Sequence, residues 1–145
     1  MAWTQDVYQS LDELLALARI SPTGQRRGLL RPDALARAEE EEREFHQHLA
    51  AGDRLGAVME AGDVAYYLNL AVYNGQVEQA EALARLERLA ARVNVPLVNI
   101  LEAAAVKFSV RFRANRGRKD DAAERRRVAD YLRHVAGIPV ETQEV

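Results

Sequence analysis

Two pairs of acidic residues have the types and spacing of a metal site. Glu41 and Glu44 are three residues apart, and Glu60 and Asp63 repeat that spacing. Residues three apart lie on one face of a helix. Glu44 and Glu60 are each eight residues from Gly52, which is about 12 Å of helix at ~1.5 Å per residue. A helical hairpin that turns at Gly52 would therefore bring both pairs to the same level.

Four carboxylates that face one another repel unless cations lie among them. An all-oxygen ligand set favours Mg²⁺ or Mn²⁺ over zinc or copper. A di-iron bundle would require Glu-x-x-His pairs, and none of the three histidines has a glutamate three residues before it. The alternative is that the glutamate run of residues 39–44 is a solvated helix face, with His48 at most supporting the acidic site.

Basic residues follow near the end of the chain. Lys107 and Arg111 are four residues apart and share one face of a predicted helix. Beside a magnesium site these cations would bind phosphates, whereas alone they would be ordinary solvated residues of an amphipathic helix. We interpret Arg125, Arg126 and Arg127 as a solvated helix face or a contact between subunits, with phosphate or nucleic-acid binding as the alternative.

Helical periodicity governs the segments that must position these side chains. Helices are predicted over about 5–19, from Pro32-Asp33 to Gly52, on to about Tyr73, and over 76–93, 97–114 and 120–136. The predicted fold is all-α, a bundle of five or six helices. Asp53 is predicted to cap the third helix, and Gly62 to let a neighbouring helix approach closely. The buried stripes of the first, fourth and last helices include Leu14, Leu15, Ala18, Ala80 and Val135.

Composition excludes several classes of protein. The 145 residues carry 20 basic and 22 acidic side chains, a net charge of -2, and contain no cysteine, so disulfides and thiolate metal sites are excluded. No glycine-rich phosphate loop and no signal peptide is evident, and the longest uncharged stretch is 14 residues.

We expect one domain over residues 1–145 in the cytoplasm. Residues 1–63 sum to -5 and residues 106–133 to +6, so a ligand that carries both cations and anions is expected.

The order and spacing of these motifs resemble those of the MazG-like all-α nucleoside triphosphate pyrophosphohydrolases. The resemblance covers roughly residues 35–115. It rests on three motifs: Glu40-Glu41-x-x-Glu44, Glu60-x-x-Asp63 and Lys107-Phe108-x-x-Arg111-Phe112.

The resemblance implies hydrolysis of a nucleotide between its α and β phosphates, which releases a monophosphate and pyrophosphate. It implies Mg²⁺ as the cofactor, with Mn²⁺ as a substitute, and a homodimer or homotetramer. It implies the following roles: metal ligands at Glu41, Glu44, Glu60 and Asp63; water orientation or deprotonation at Glu40; phosphate binding at Lys107 and Arg111.

The base pocket and the substrate are less defined. Tyr67 lies two turns after Glu60 and is a candidate for stacking on a base, with Trp3 and Tyr8 as further candidates; core packing is the alternative for Tyr67. Residues 103–105 are alanines where many relatives have an asparagine. The identity of the base is left open: the substrate is a purine nucleotide such as dGTP, or it is dUTP or dCTP. The alternative functions are a non-enzymatic module that binds nucleic acid through residues 111–127, and a relative that has lost catalysis.

Overall fold

The computed structural model of the protein describes residues 5–19, 32–115 and 118–140, except for the side chains of Tyr8 and residues 14–19. Within these ranges the chain is helical and has no strand, which confirms the predicted all-α class. The six α-helices are α1 (Gln5–Arg19), α2 (Ala34–Ala50), α3 (Arg54–Tyr73), α4 (Gln79–Val93), α5 (Leu97–Ser109) and α6 (Asp121–His134).

Helix α3 is the centre of the bundle and packs against the other five helices. Thirteen of its 20 residues are buried, because apolar side chains surround the whole helix rather than one stripe. Such a pattern is typical of a core helix. Glu60 and Asp63 belong to this helix, so the fold carries two acidic side chains into the interior.

A tight turn makes α2 and α3 an antiparallel hairpin, as predicted. Gly52 has a φ of 76°, a left-handed conformation that glycine adopts without strain. The Asp53 carboxylate accepts a hydrogen bond of 2.9 Å from the backbone N–H of Gly56, which caps the first turn of α3. The hairpin holds α2 and α3 side by side along the length that carries the acidic residues.

The predicted close approach at Gly62 is made by α5. A Cβ placed on Gly62 would lie 2.7 Å from the Cβ of Ala104, closer than two side chains can pack. Ala103 and Ala104 are both buried, which explains why small residues occupy this stretch. Lys107 follows Ala104 by three residues, on the same side of α5, so this contact brings Lys107 towards Asp63.

Helix α5 does not continue regularly to residue 114. Val110–Ala114 form a π-helical turn, in which the N–H of Asn115 donates to the carbonyl of Val110, five residues earlier, at 2.9 Å. Such wide turns occur mostly as single insertions and frequently at functional sites. This turn carries Arg111 and Phe112.

Two predicted core positions are exposed. Val135 is 74% exposed because α6 ends at His134, and the helical period no longer applies beyond it. Ala80, in the first turn of α4, is also exposed. The predicted burial of Leu14, Leu15 and Ala18 concerns side chains outside the described part of the structure.

Among the described residues, no single helix has the length and apolar character needed to cross a membrane. Only α4 and the segment Leu97–Ala114 taken together meet these two criteria, and they are bent by 89° relative to each other.

Candidate active site

Three of the predicted metal ligands meet between α2 and α3. Glu41, Glu60 and Asp63, which we call the carboxylate centre, each place one oxygen within 4.8 Å of the others. This spread is comparable with the about 4–5 Å that separates oxygen ligands across a Mg²⁺ or Ca²⁺ ion. The Oε2 atom of Glu60 is buried and has no hydrogen-bond partner among the described residues. The donor set therefore fits a hard divalent cation.

Burial and mutual repulsion perturb the carboxylate centre. Burial raises the pKa of Glu60 to about 10, supported by its hydrogen bond with Glu41 and by the charge of Asp63. Burial also raises the pKa of Glu41, to which the charge of Asp63 adds, while the hydrogen bond with Glu60 opposes the increase. Without a cation, the centre therefore keeps a proton at neutral pH instead of three full negative charges.

Lys107 is the cation that contacts the carboxylate centre. Its Nζ donates to both carboxylate oxygens of Asp63, at 2.9 and 2.7 Å. Although it is a lysine, only 5% of its surface is exposed, which requires a paired charge. Asp63 thus faces a buried ammonium group, while a guanidinium nitrogen of Arg37 lies 3.9 Å from Glu41.

The rest of the glutamate run is divided between the site and the surface. Glu44 lines the same cavity and interacts with Glu41, but it does not belong to the group of three oxygens within 4.8 Å. Glu40 lines the cavity too, and its carboxylate accepts a hydrogen bond of 3.1 Å from Arg37. Glu39 is exposed and Glu42 pairs with Arg85 at 3.2 Å. The solvated-face interpretation therefore holds for part of the run.

The carboxylate centre lies midway along an elongated cavity of about 460 Å³. Its lining extends along α2 from Arg37 to His48 and along α3 from Gly56 to Tyr67, twelve residues on each helix, or about 16 Å from the first to the last. Because the helices are antiparallel, Arg37 lies opposite Tyr67 at one end, and His48 lies opposite Gly56 at the other. Helix α5, the π-helical turn and the start of α6 supply the remaining wall.

Tyr67, the predicted stacking partner of the base, lies at one end of the cavity. The guanidinium carbon of Arg37 lies 5.5 Å from the centroid of its ring, within the range of cation–π attraction. Tyr66 also lines this region and packs edge-to-face against Phe108, with ring centroids 5.4 Å apart. Trp3 lies outside the described residues, as does the side chain of Tyr8, so neither prediction has a structural counterpart here.

Arg111 lines the cavity and is paired with a glutamate that the sequence analysis did not single out. Its Nε and one terminal nitrogen donate to the two oxygens of Glu124, at 3.2 and 2.7 Å. Glu124 is completely buried. The spacing of four residues between Glu124 and the buried Val128 was the available signal, since it places this carboxylate on the inner face of α6.

Arg125, which belongs to α6, is a second arginine that reaches the same cavity. Arg125 donates two hydrogen bonds to Asp53, at 3.1 and 2.9 Å. The interpretation of Arg125 as a solvated residue is therefore wrong, whereas Arg126 and Arg127 are exposed. We call Arg111–Glu124 and Arg125–Asp53 the α6 pairs. Two arginines of the segment 111–127 thus line the cavity, and each is paired with a carboxylate.

Asp53 connects the α6 pairs with the carboxylate centre through His48. The Nδ1 atom of His48 lies 2.9 Å from Oδ2 of Asp53, and its Nε2 atom lies 3.7 Å from Oε1 of Glu60. Burial raises the pKa of Asp53, but hydrogen bonds from Arg125, the backbone of Gly56 and His48 outweigh this and hold it below its usual range. Asp53 is therefore both a helix cap and an anionic link between three helices.

The cavity combines oxygen ligands for a hard cation, five lysine and arginine side chains and an aromatic end. This combination suits a phosphorylated ligand with a planar group, bound together with a divalent metal ion. Comparisons of the chain with protein families, curated proteins and solved structures find no match.

Proposed function

We propose that this protein is a metal-dependent nucleotide pyrophosphohydrolase that converts a nucleoside or deoxynucleoside triphosphate to its monophosphate and pyrophosphate. The observation that carries this proposal is the convergence of Glu41, Glu60 and Asp63 within 4.8 Å. They converge in a cavity that also holds phosphate-binding residue types and an aromatic end. The resemblance of the three motifs to those of MazG-like enzymes supports the same reaction.

Mg²⁺, for which Mn²⁺ substitutes, is the proposed cofactor. The carboxylate centre would hold it, with Glu44 as a further ligand from the same cavity. When bound, the metal would neutralise negative charge on the phosphates and activate the attacking water. The buried, unpartnered oxygen of Glu60 supports this role, because such an atom is costly unless a ligand satisfies it.

The chain's own residues divide the remaining work. Glu40, at the edge of the cavity, accepts a proton from the attacking water as the water oxygen bonds to the α phosphorus. The bond between the α phosphorus and the bridging oxygen breaks, and pyrophosphate leaves. Lys107 and Arg111 bind the β and γ phosphates and stabilise the charge that develops on the leaving pyrophosphate. Both cations are held in place by carboxylates, so they are oriented before the substrate arrives.

Tyr67 is proposed to stack on the base of the nucleotide. The identity of the base is left open: the substrate is a purine nucleotide such as dGTP, or it is dUTP or dCTP.

We propose a homodimer or homotetramer on the basis of the family resemblance. Size-exclusion chromatography with light scattering measures the oligomeric state directly.

The central experiment is a panel of canonical and modified nucleoside triphosphates with Mg²⁺, with Mn²⁺ and with a chelator. We expect at least one nucleotide to yield monophosphate and pyrophosphate, measured by product chromatography, and no turnover with the chelator. Release of orthophosphate and a diphosphate would contradict the proposed bond cleavage. A complete lack of turnover across the panel would disprove the function.

A pair of variants tests the carboxylate centre. Glu60→Gln is expected to reduce turnover at least about 100-fold, because it removes a charged ligand at the centre. Glu39→Gln changes the same residue type in the glutamate run, but at an exposed position outside the cavity, and should keep full activity. Circular dichroism checks that both variants stay helical. Equal activities would remove Glu60 from the site.

A further inference from the structure

The two ends of the cavity lie at equal distances from the carboxylate centre. Along α3, Gly56 precedes Glu60 by four residues and Tyr67 follows Asp63 by four, about 6 Å on each side. The end at Tyr67 is aromatic and is covered by Arg37. A ligand that binds a metal at the centre must therefore extend its planar group to one end and its remaining part to the other.

The other end is where the start of α6 adds cations. Lys119 and Arg125 both line the cavity. The bond between Arg125 and Asp53 locates Arg125 near the start of α3, and Lys119 lies two residues before the start of α6. These two residues lie after the motif region of 35–115, so the motif resemblance assigns them no role. Through its bond with Asp53, Arg125 lies on the side of the centre away from the Tyr67 end.

The cations differ in how many hydrogen-bond donors they have left. Arg125 uses one N–H of each terminal nitrogen on Asp53, and a guanidinium has five, so three donors are left for a ligand. Lys119 lies 3.7 Å from Asp121 with 68% of its side chain exposed, an arrangement that holds a lysine weakly. Lys107 is instead buried on both oxygens of Asp63. Lys119 and Arg125 therefore offer more available donors to an incoming phosphate than Lys107 does.

We infer that Lys119 and Arg125 bind the terminal phosphate of the substrate in addition to Lys107 and Arg111, so that the nucleotide lies with its base at Tyr67 and its polyphosphate tail at the start of α6. This inference rests on the proposed function and deepens it by naming the substrate orientation. It makes these residues specificity determinants: they favour triphosphates over monophosphates, which cannot reach the α6 end while the base is at Tyr67.

Binding to the full chain in the presence of Mg²⁺ tests this orientation independently of turnover. The probes are inorganic tripolyphosphate, which has a tail but no base, and a nucleoside monophosphate, which has a base but no tail. Lys119→Glu is expected to weaken tripolyphosphate binding at least about tenfold in calorimetry and to change monophosphate binding less than about twofold. Lys119 is exposed and weakly paired, so the variant should fold normally.

Arg126→Glu is the matched control, because it makes the same change of charge at a neighbouring exposed residue that does not line the cavity. It should leave both affinities within about twofold of those of the wild-type chain. If Arg126→Glu and Lys119→Glu weaken tripolyphosphate binding equally, the effect is general electrostatics and the inference is overturned. Equal loss of monophosphate and tripolyphosphate binding in Lys119→Glu would also overturn it.

Tyr67→Ala provides the converse test at the other end. It should weaken binding of the monophosphate while it leaves tripolyphosphate binding within about twofold, since stacking involves only the base. If Tyr67→Ala weakens tripolyphosphate instead, the proposed direction of the nucleotide is wrong.

The failures of the inference and of the proposed function are distinguishable. If no nucleotide is hydrolysed but tripolyphosphate binds in a Lys119-dependent manner, the function fails and the phosphate subsite stands. If hydrolysis depends on Glu60 but Lys119→Glu has no selective effect on tripolyphosphate, the function stands and the subsite is disproved.

Discussion

The carboxylate centre and the arginines of the α6 pairs line one cavity, but the centre and the pairs differ in charge balance. Each carboxylate of the α6 pairs meets a guanidinium through two hydrogen bonds. In the carboxylate centre, the ammonium of Lys107 bonds Asp63. Nitrogens of Arg37 and His48 lie farther away, 3.9 Å from Glu41 and 3.7 Å from Glu60, respectively. Balanced, bidentate pairs are a means of holding helices together, whereas unbalanced buried charge destabilises the fold and is typical of functional sites. The difference identifies which acidic residues support the architecture and which are available for chemistry.

The largest expected effect on stability belongs to the α6 pairs. Glu124→Ala leaves Arg111 without its carboxylate partner and should lower the free energy of unfolding by about 3–5 kcal/mol. Denaturant unfolding of the metal-free protein measures it. Asp130→Ala, at an exposed position of the same helix, is the control and should change stability by less than about 0.5 kcal/mol. A similarly small effect for Glu124→Ala would contradict the structural role of the α6 pairs.

The next largest effect on stability is expected at the contact between α3 and α5, which brings Lys107 towards the carboxylate centre. Gly62→Ala adds a methyl group where α5 approaches α3 and should cost about 1–2 kcal/mol, after the better helix propensity of alanine is counted. The double variant Gly62→Ala/Ala104→Gly moves the methyl group to the other helix at constant composition. It should recover most of the loss in denaturant unfolding. Without recovery, the contact between Gly62 and Ala104 does not set the distance between α3 and α5.

A smaller effect, dependent on pH, is expected at Asp53. Asp53→Asn keeps a capping side chain but removes the charge that faces Arg125, and should cost about 1 kcal/mol at pH 7. Since the folded pKa of Asp53 is lowered, the wild-type advantage is complete above the ordinary aspartate pKa of about 3.9. It is lost as the pH falls through the folded pKa. Unfolding of both proteins between pH 7 and pH 2.5 measures this difference, and a constant difference would contradict the ionic contribution.

The smallest effect on stability is expected at the carboxylate centre itself. With its pKa raised to about 10, Glu60 is already neutral at pH 7 in the metal-free protein. Glu60→Gln should therefore change the free energy of unfolding by less than about 1 kcal/mol, although it removes turnover. A loss as large as that of Glu124→Ala would show that the centre is as structural as the α6 pairs.

Much of the fold follows from local sequence patterns. The helical period and the turn residues predicted where the helices lie in the chain. At the ends of α4 and α6, the predicted and observed bounds differ by about three residues or less. The equal spacing on both sides of Gly52 predicted that acidic residues of α2 and α3 meet. Glu44 lies outside the closest group because this spacing fixes height along a helix, not the rotation of each helix about its axis.

The α6 pairs were not predictable from spacing. Arg125 and Asp53 are 72 residues apart in the chain, and their contact depends on how α6 packs across the bundle. Arg125 also lies in a run of three arginines, of which two are exposed, so residue type alone does not distinguish it. The burial of Lys107 likewise depends on the approach of α5 to Gly62. The sequence predicted this close approach from the glycine but did not predict that the lysine would be buried.

The π-helical turn at Val110–Ala114 has a consequence for protein engineering. A π turn contains one residue more than the α-helical turn that would replace it, so the chain has room for a single deletion there. Removing one residue would restore regular α-helix and, because the wider turn absorbs its extra residue, would leave the residues beyond the turn on the faces they now occupy. A one-residue deletion within residues 110–114 would thus change the local path of the chain at Arg111 and Phe112 without changing any side chain of the carboxylate centre.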